Sequence, residues 1–289
     1  MQERLCLLCV HAHPDDESSK GAGTVARYHE EGVRTVLVCC TGGEEGDVLN
    51  PAMDLPEIKQ NLPEIRMREL ARAAEIIGYD EVIMLGYRDS GMPGTEANAD
   101  PRSFAAAPLD ESTGRLVEII RKTRPQVIVT YGDDQQGYPH PDHLRVHDIS
   151  VAAFDAAGDP GAFTDAGDPW QASKMYYSVW SMRRIKAMHE KFLELGLESP
   201  FGEDWLSRPF NDEAITTTID LAGHADVRAE ALLAHETQVD PTSKFWFGLP
   251  PEVARDVHPY EEFSLARSLV ESTPPEEDLF SGVRDRVKN

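Results

Sequence analysis

Two short runs of the chain set imidazoles beside carboxylates: His11-Ala12-His13-Pro14-Asp15-Asp16-Glu17 and Tyr138-Pro139-His140-Pro141-Asp142-His143. Imidazole nitrogen and carboxylate oxygen together suit a divalent transition metal, and a catalytic zinc takes three protein ligands while keeping one position open. In the first run His13 and Asp16 are most easily brought to one side as the chain turns toward a helix, leaving Asp15 free for another task. His143, at the mouth of the next predicted helix, offers a third ligand. His140 and His147 remain alternatives, because His143 and His147 share a helix face. One His-Pro-Asp is ordinary turn chemistry. Two of them, each beside a further His or Asp, point to a metal site.

Such a site needs elements that bring the two runs together. Apolar, strand-like runs at 5–10, 35–40, 82–85 and 127–131 alternate with helical patterns at 21–31, 62–77, 115–122 and 143–157. In the second of these helices Ile65, Leu70, Ala73, Ala74 and Ile77 recur at helical spacing, with Gly78 placed as a C-terminal cap. The strands show continuous Val/Ile/Leu character without polar alternation, as strands covered on both faces do. The expected fold is α/β: a Rossmann-like, mostly parallel sheet with helices on both faces, plus a smaller appended C-terminal part. Ligands of open α/β sheets bind beyond the carboxyl ends of the strands. Both His-Pro-Asp runs follow strand ends, so they would face one crevice. Residues 1–160 read as the catalytic core. Residues 161–273, with strand patterns at 175–180 and 214–219 and helical ones at 184–195 and 225–235, read as an appended portion completing the pocket. The charged, Pro-led stretch 274–289 reads as a mobile tail.

With 28 Lys+Arg against 51 Asp+Glu among 289 residues, the formal charge is −23. That charge disfavours nucleic acid and anionic membrane as partners. Neither a signal peptide nor an apolar run of transmembrane length is present, and the expected location is cytoplasmic. Cys6, Cys9, Cys39 and Cys40 lie in strand-like runs where neighbours point to opposite faces, so they are expected as buried apolar residues rather than as ligands. Gly21-Ala22-Gly23 begins too far after the first strand for a dinucleotide fingerprint and reads as small residues for helix packing.

At these residues the sequence resembles the LmbE-like family of zinc-dependent N-deacetylases, whose hallmarks are a His-Pro-Asp-Asp after the first strand and a later His-Pro-Asp-His. Here they stand at 13–16 and 140–143. The runs at 11–20, 41–44, 87–92 and 237–247 resemble most the mycothiol S-conjugate amidase branch, with Lys20 as the discriminator from the biosynthetic deacetylase branch. The resemblance implies His13, Asp16 and His143 as ligands of one Zn²⁺ per chain, Fe²⁺ being the other candidate ion. It implies Asp15 as general base, with Tyr138 helping to hold the oxyanion. It implies charged His140 as donor to the oxyanion or to the leaving amine, with Asp142 orienting His140 or raising its pKa. Lys20, Arg66 and Asp89 are expected to contact a thiol–sugar conjugate, although Arg66 and Glu69, three apart on one helix, also suit a structural ion pair. The implied reaction is hydrolysis of the glucosamine–N-acetylcysteine amide in detoxification. The alternatives are removal of acetate from N-acetylglucosaminyl-inositol and a non-catalytic, metal-dependent sugar-binding module. A metal phosphohydrolase would need a cationic clamp, and none is evident near either run.

Overall fold

A computed structural model describes residues 4–135, 138–221 and 223–284. Five parallel strands, β1 Cys6–His11, β2 Arg34–Thr41, β3 Glu81–Tyr87, β4 Val127–Thr130 and β5 Lys174–Val179, form most of one seven-stranded sheet. The remaining two are β6 Thr217–Asp220 and β7 Tyr260–Ser268, and the spatial order is β3-β2-β1-β4-β5-β7-β6. Strand β7 runs antiparallel to both β5 and β6. The second half therefore extends the sheet of the first, a point that periodicity alone leaves open. Strand β7 was not anticipated; it carries Glu261 and Glu262 at buried positions, which breaks the apolar signal.

Helices cover both faces, as expected. One face packs Val25 and Tyr28 of Ala22–Glu30, Leu70, Ala73 and Ile77 of Leu62–Ile77, and Ala231 of Val227–Ala234. The other packs Leu116, Val117 and Ile120 of Leu109–Thr123 and Val146, Ile149 and Ala153 of Pro141–Ala157. The four cysteines are free and buried, Cys9 and Cys39 toward the first face, Cys6 and Cys40 toward the second. This is the alternation that a pleated strand imposes. A third, smaller core gathers Ile185, Phe192, Phe201 and Leu249 from the appended part.

Glycine is required at two packing points. Gly78 ends its helix at φ +90° with its N–H on Ala74 O, and a Cβ there would meet the His29 ring at 2.9 Å. A Cβ on Gly23 would meet the Leu221 side chain at 2.9 Å and the His224 carbonyl at 3.1 Å, so its smallness serves the packing of its helix against the 221–224 turn, whereas Gly21 is needed for its φ of +95°.

The expected mobile tail needs correction. Leu279, Phe280 and Val283 are buried against the first face, and Glu276 pairs with Lys174 of β5. The polar run hid these anchors because their partners lie a hundred or more residues away. Residues 285–289 lie outside the described residues. Among the described residues, no helix is long and apolar enough to cross a membrane.

Candidate metal centre

The strand order reverses between β1 and β4, which run parallel as neighbours. A crevice opens at such a reversal, beyond the carboxyl ends of the two strands. After β1, His13 leads into a single helical turn, Asp16–Ser19, preceded by Asp15 at φ 115°. After β4, the chain re-enters helix at Pro141, capped by His140, whose Nδ1 accepts the Asp142 N–H at 3.2 Å. The two runs meet.

His13, Asp16 and His143 offer ligand atoms within 4.8 Å of one another, all buried. Asp16 Oδ2 lies 3.4 Å from His13 Nδ1 and 3.4 Å from His143 Nε2. Donors held at about 2.0–2.1 Å from a tetrahedral ion stand roughly 3.4 Å apart, so the set fits a metal site. His13, Asp89 and His140 form a second, overlapping group of the same kind. His147 is turned away, its Nδ1 at 3.1 Å from the Tyr131 carbonyl.

The side chains around these ligands fix them. Asp142 Oδ2 is 3.1 Å from His13 Nε2 and accepts the Ser90 N–H at 2.9 Å, while Oδ1 accepts the Ser90 hydroxyl. A carboxylate so paired with one ring nitrogen leaves the other, Nδ1, free to ligate a metal. The Asp142 carboxylate thus orients His13, while toward His140 it acts in two ways, through its N–H on Nδ1 and through its charge, which favours the protonated ring as expected but is outweighed. The charged form expected of His140 also needs correction: burial, then the neighbouring His13 and His143, lowers its pKa to about 4. With Nδ1 serving as acceptor, neutral His140 carries its proton on Nε2.

Burial alone would lower His13, yet Asp142, Asp16 and Asp89 around it raise it well above the ordinary histidine value. Asp16 is pushed up by burial and pulled more strongly down by Lys20 and His143, to well below the carboxylate range. Asp15 is raised, chiefly by burial, with the Arg66 guanidinium opposing. Two carboxylates in one motif are thereby driven apart, one fixed as an anion and one suited to exchange a proton.

Arg66 donates from Nη1 to Gly43 O and from Nη2 to Pro14 O at 2.6 Å, with Nη2 also 3.4 Å from Asp15 Oδ2. It does not pair with Glu69, which instead accepts the Thr237 N–H at 2.8 Å and hydroxyl at 2.7 Å. Gly43 sits at φ +68°, and a Cβ there would fall on the guanidinium. In Arg66→Met the buried Pro14 and Gly43 carbonyls lose their partner at about 1–3 kcal/mol each. Calorimetry should show Tm lowered by roughly 3–10 °C; an unchanged Tm would remove Arg66 from this role. Lys20 Nζ lies 2.5 Å from Asp16 Oδ1, and Asp89 Oδ1 lies 3.6 Å from His13 Nε2 while accepting the Gly91 N–H at 2.8 Å. Tyr138 stands half-exposed at the rim, its ring 5.9 Å from that of His143.

Sequence reasoning missed Ser90, Tyr131 and His235. The Tyr131 hydroxyl accepts the Ala12 N–H at 3.1 Å and lies 3.0 Å from His11 Nδ1, and His235 Nε2 is 2.7 Å from Glu17 Oε1 in full burial. For Ser90 a signal existed, since it follows Asp89 directly after β3. His235 gave none.

The profile of the PIG-L: GlcNAc-PI de-N-acetylase family matches residues 8–154. The chain belongs to this family. It is 45% identical, over 99% of its length and the whole of the relative, to the mycothiol S-conjugate amidase of Streptomyces coelicolor. It is 40% identical, over 96% of its length and 97% of the relative, to the 1D-myo-inositol 2-acetamido-2-deoxy-alpha-D-glucopyranoside deacetylase of Geodermatophilus obscurus. Among solved structures it resembles the N,N'-diacetylchitobiose deacetylase of Pyrococcus horikoshii, with a TM-score of 0.62 at 17% identity, covering 96% of this chain and 86% of that one. A hydratase, GalB of Pseudomonas putida, shares the fold at a TM-score of 0.58 and 18% identity, over 93% of this chain and 99% of that one, so fold alone does not set the chemistry. Full-length relatedness to an amidase and a deacetylase makes the family member described here a hydrolase of amide C–N bonds.

Proposed function

We propose that the chain is a zinc-dependent amidase hydrolysing the glucosamine–N-acetylcysteine amide of mycothiol S-conjugates, releasing the S-linked cysteine derivative. The observation that carries this reading is 45% identity over the full length of a relative named for that activity. Zn²⁺ suits a set of two imidazoles and one carboxylate, as does Fe²⁺, and metal analysis of protein purified without chelator tests the assignment. Bound among His13, Asp16 and His143, the ion would supply acidification of water and polarisation of the amide carbonyl.

The chain's own residues do the rest. Asp15, with its raised proton affinity, takes the proton of the attacking water and returns it to the departing nitrogen. His140 Nε2–H and the Tyr138 hydroxyl donate to the developing oxyanion. Asp142 and Ser90 keep the His13 ring in place. Arg66 contributes by holding the loops that carry Asp15 and Gly43, while Asp89 borders the sugar end of the site. The appended residues 161–273 are assigned the remaining pocket wall, a reading supported by Trp180 and Arg184, which line a small cavity together with Ser19 and Lys20.

A second reading, the deacetylase of mycothiol biosynthesis, is favoured by full-length relatives of that name at 40% and 41% identity. The ratio of kcat/KM values on a mycothiol–bimane conjugate and on N-acetylglucosaminyl-inositol separates them. The amidase reading expects the conjugate to be the better substrate. The reverse ratio selects the deacetylase, and cleavage of neither by metal-loaded protein overturns both.

A further inference from the structure

We infer that Lys20 is a positioning residue for the metal, acting through the Asp16 carboxylate rather than by gripping substrate. The inference rests on the metal-site reading above but not on which amide is cleaved. Asp16 divides its two oxygens. Oδ2 turns to His13 Nδ1 and His143 Nε2, each at 3.4 Å, and accepts the His13 N–H at 3.0 Å. Oδ1 turns the other way, to Lys20 Nζ at 2.5 Å. The two residues are four apart across the helical turn Asp16–Ser19, and the Lys20 N–H closes that turn on Asp16 O at 2.9 Å. The ammonium is itself held, 3.3 Å from Ser19 Oγ and over the Tyr131 ring at 5.4 Å from its centroid. Asp16 is 3% exposed and stands between two acidic neighbours, Asp15 and Glu17.

A carboxylate so placed has two ways to ligate, through either oxygen, and carries repulsion from its neighbours. The Lys20 ammonium removes the choice by occupying Oδ1 and supplies the missing positive charge. Partners of this kind are typically worth 10–100-fold in metal affinity. A lysine that bound substrate alone would alter KM and leave the metal untouched.

The experiment measures the Zn²⁺ dissociation constant of purified apo protein by chelator competition, and the visible spectrum of the Co²⁺-loaded form, for wild type, Lys20→Met, Lys20→Gln and Lys20→Arg. The expected result is about 10–100-fold weaker Zn²⁺ binding in Lys20→Met and Lys20→Gln, an altered Co²⁺ ligand-field band, and recovery of most of the affinity in Lys20→Arg. Circular dichroism checks the fold, and the Arg variant keeps the test decisive if the Met variant unfolds. Wild-type affinity and spectrum in the Met and Gln variants, with only KM raised, overturns the inference. Failure of wild-type protein to bind any divalent ion overturns the metal site itself, a separate outcome.

Discussion

Asp15→Asn is expected to lower kcat by about 10²–10⁴, the usual contribution of a general base, while leaving the bound metal in place. Several observations make this substitution the cleanest probe of the site. Asp15 contributes no atom to the His13, Asp16 and His143 group, so its amide should not disturb the ligands. Its backbone lies at φ 115°, a conformation that few side chains tolerate and that asparagine adopts more readily than most. Alanine there would confound lost chemistry with backbone strain; asparagine removes the proton acceptor and little else. The role also predicts an acid limb in the pH profile of kcat/KM, since a protonated Asp15 cannot accept the proton of water. The sign follows from the role: the base must be ionised, so activity rises with pH through its pKa. Metal content by mass spectrometry and a kcat series across pH form the test. Full activity in Asp15→Asn would transfer the base to another group and leave the metal site standing.

What could be read from the sequence divides along a physical line. The β1 and β4 runs and the helices between them announce themselves because each satisfies its own periodicity, and that alternation places 13–16 and 140–143 at carboxyl ends of one sheet, while the reversal of order between β1 and β4 is seen only in the structure. Interactions whose partners are far apart in sequence stay hidden. Asp142 reads as a partner for nearby His140, two residues away, yet its carboxylate crosses to His13, 129 residues distant, because the helix start at Pro141 points it back into the crevice. Arg66 reads as a substrate contact, with an intrahelical pair to Glu69 as the alternative, yet each side chain is drawn to a different loop, Arg66 to Gly43 and Pro14, Glu69 to Thr237. Strand β7 hides because Glu261 is used to accept the Thr24 N–H at 2.9 Å, a role that no hydrophobic pattern encodes.

The same separation in sequence concealed a buried ion pair of the C-terminal segment, which carries a large expected stability effect. Lys174 and Glu276 are buried, with side-chain exposures of 0% and 2%, and Nζ lies 2.6 Å from Oε1. Glu276 also accepts hydroxyls from Ser272 at 2.8 Å, Tyr176 at 2.6 Å and Thr217 at 3.2 Å. Removing one partner of such a pair strands the other charge without water, at a cost of about 3–5 kcal/mol. Lys174→Met should therefore lower Tm by roughly 5–8 °C. Ending the chain before residue 274 should do comparable harm, since it removes the carboxylate together with Leu279 and Phe280. The double variant Lys174→Met/Glu276→Gln should recover most of the loss, because a glutamine carbonyl in the place of Oε2 still accepts the Tyr176 and Thr217 hydroxyls, its NH2 faces the Ser272 oxygen, which can accept, and no charge is left buried. Burial pushes the Glu276 carboxyl up, but Lys174 and Tyr176 pull it below its ordinary value. A depressed carboxylate contributes stability that is complete above its unfolded pKa, about 4.3, and is lost as pH falls through the folded value. Acid should thus cost the wild type more stability than the double variant, and the two melting curves should converge below about pH 4. Parallel loss of stability in both proteins would mean that the pair carries none of the acid sensitivity, and a double variant as unstable as Lys174→Met would mean that charge burial is not the cost.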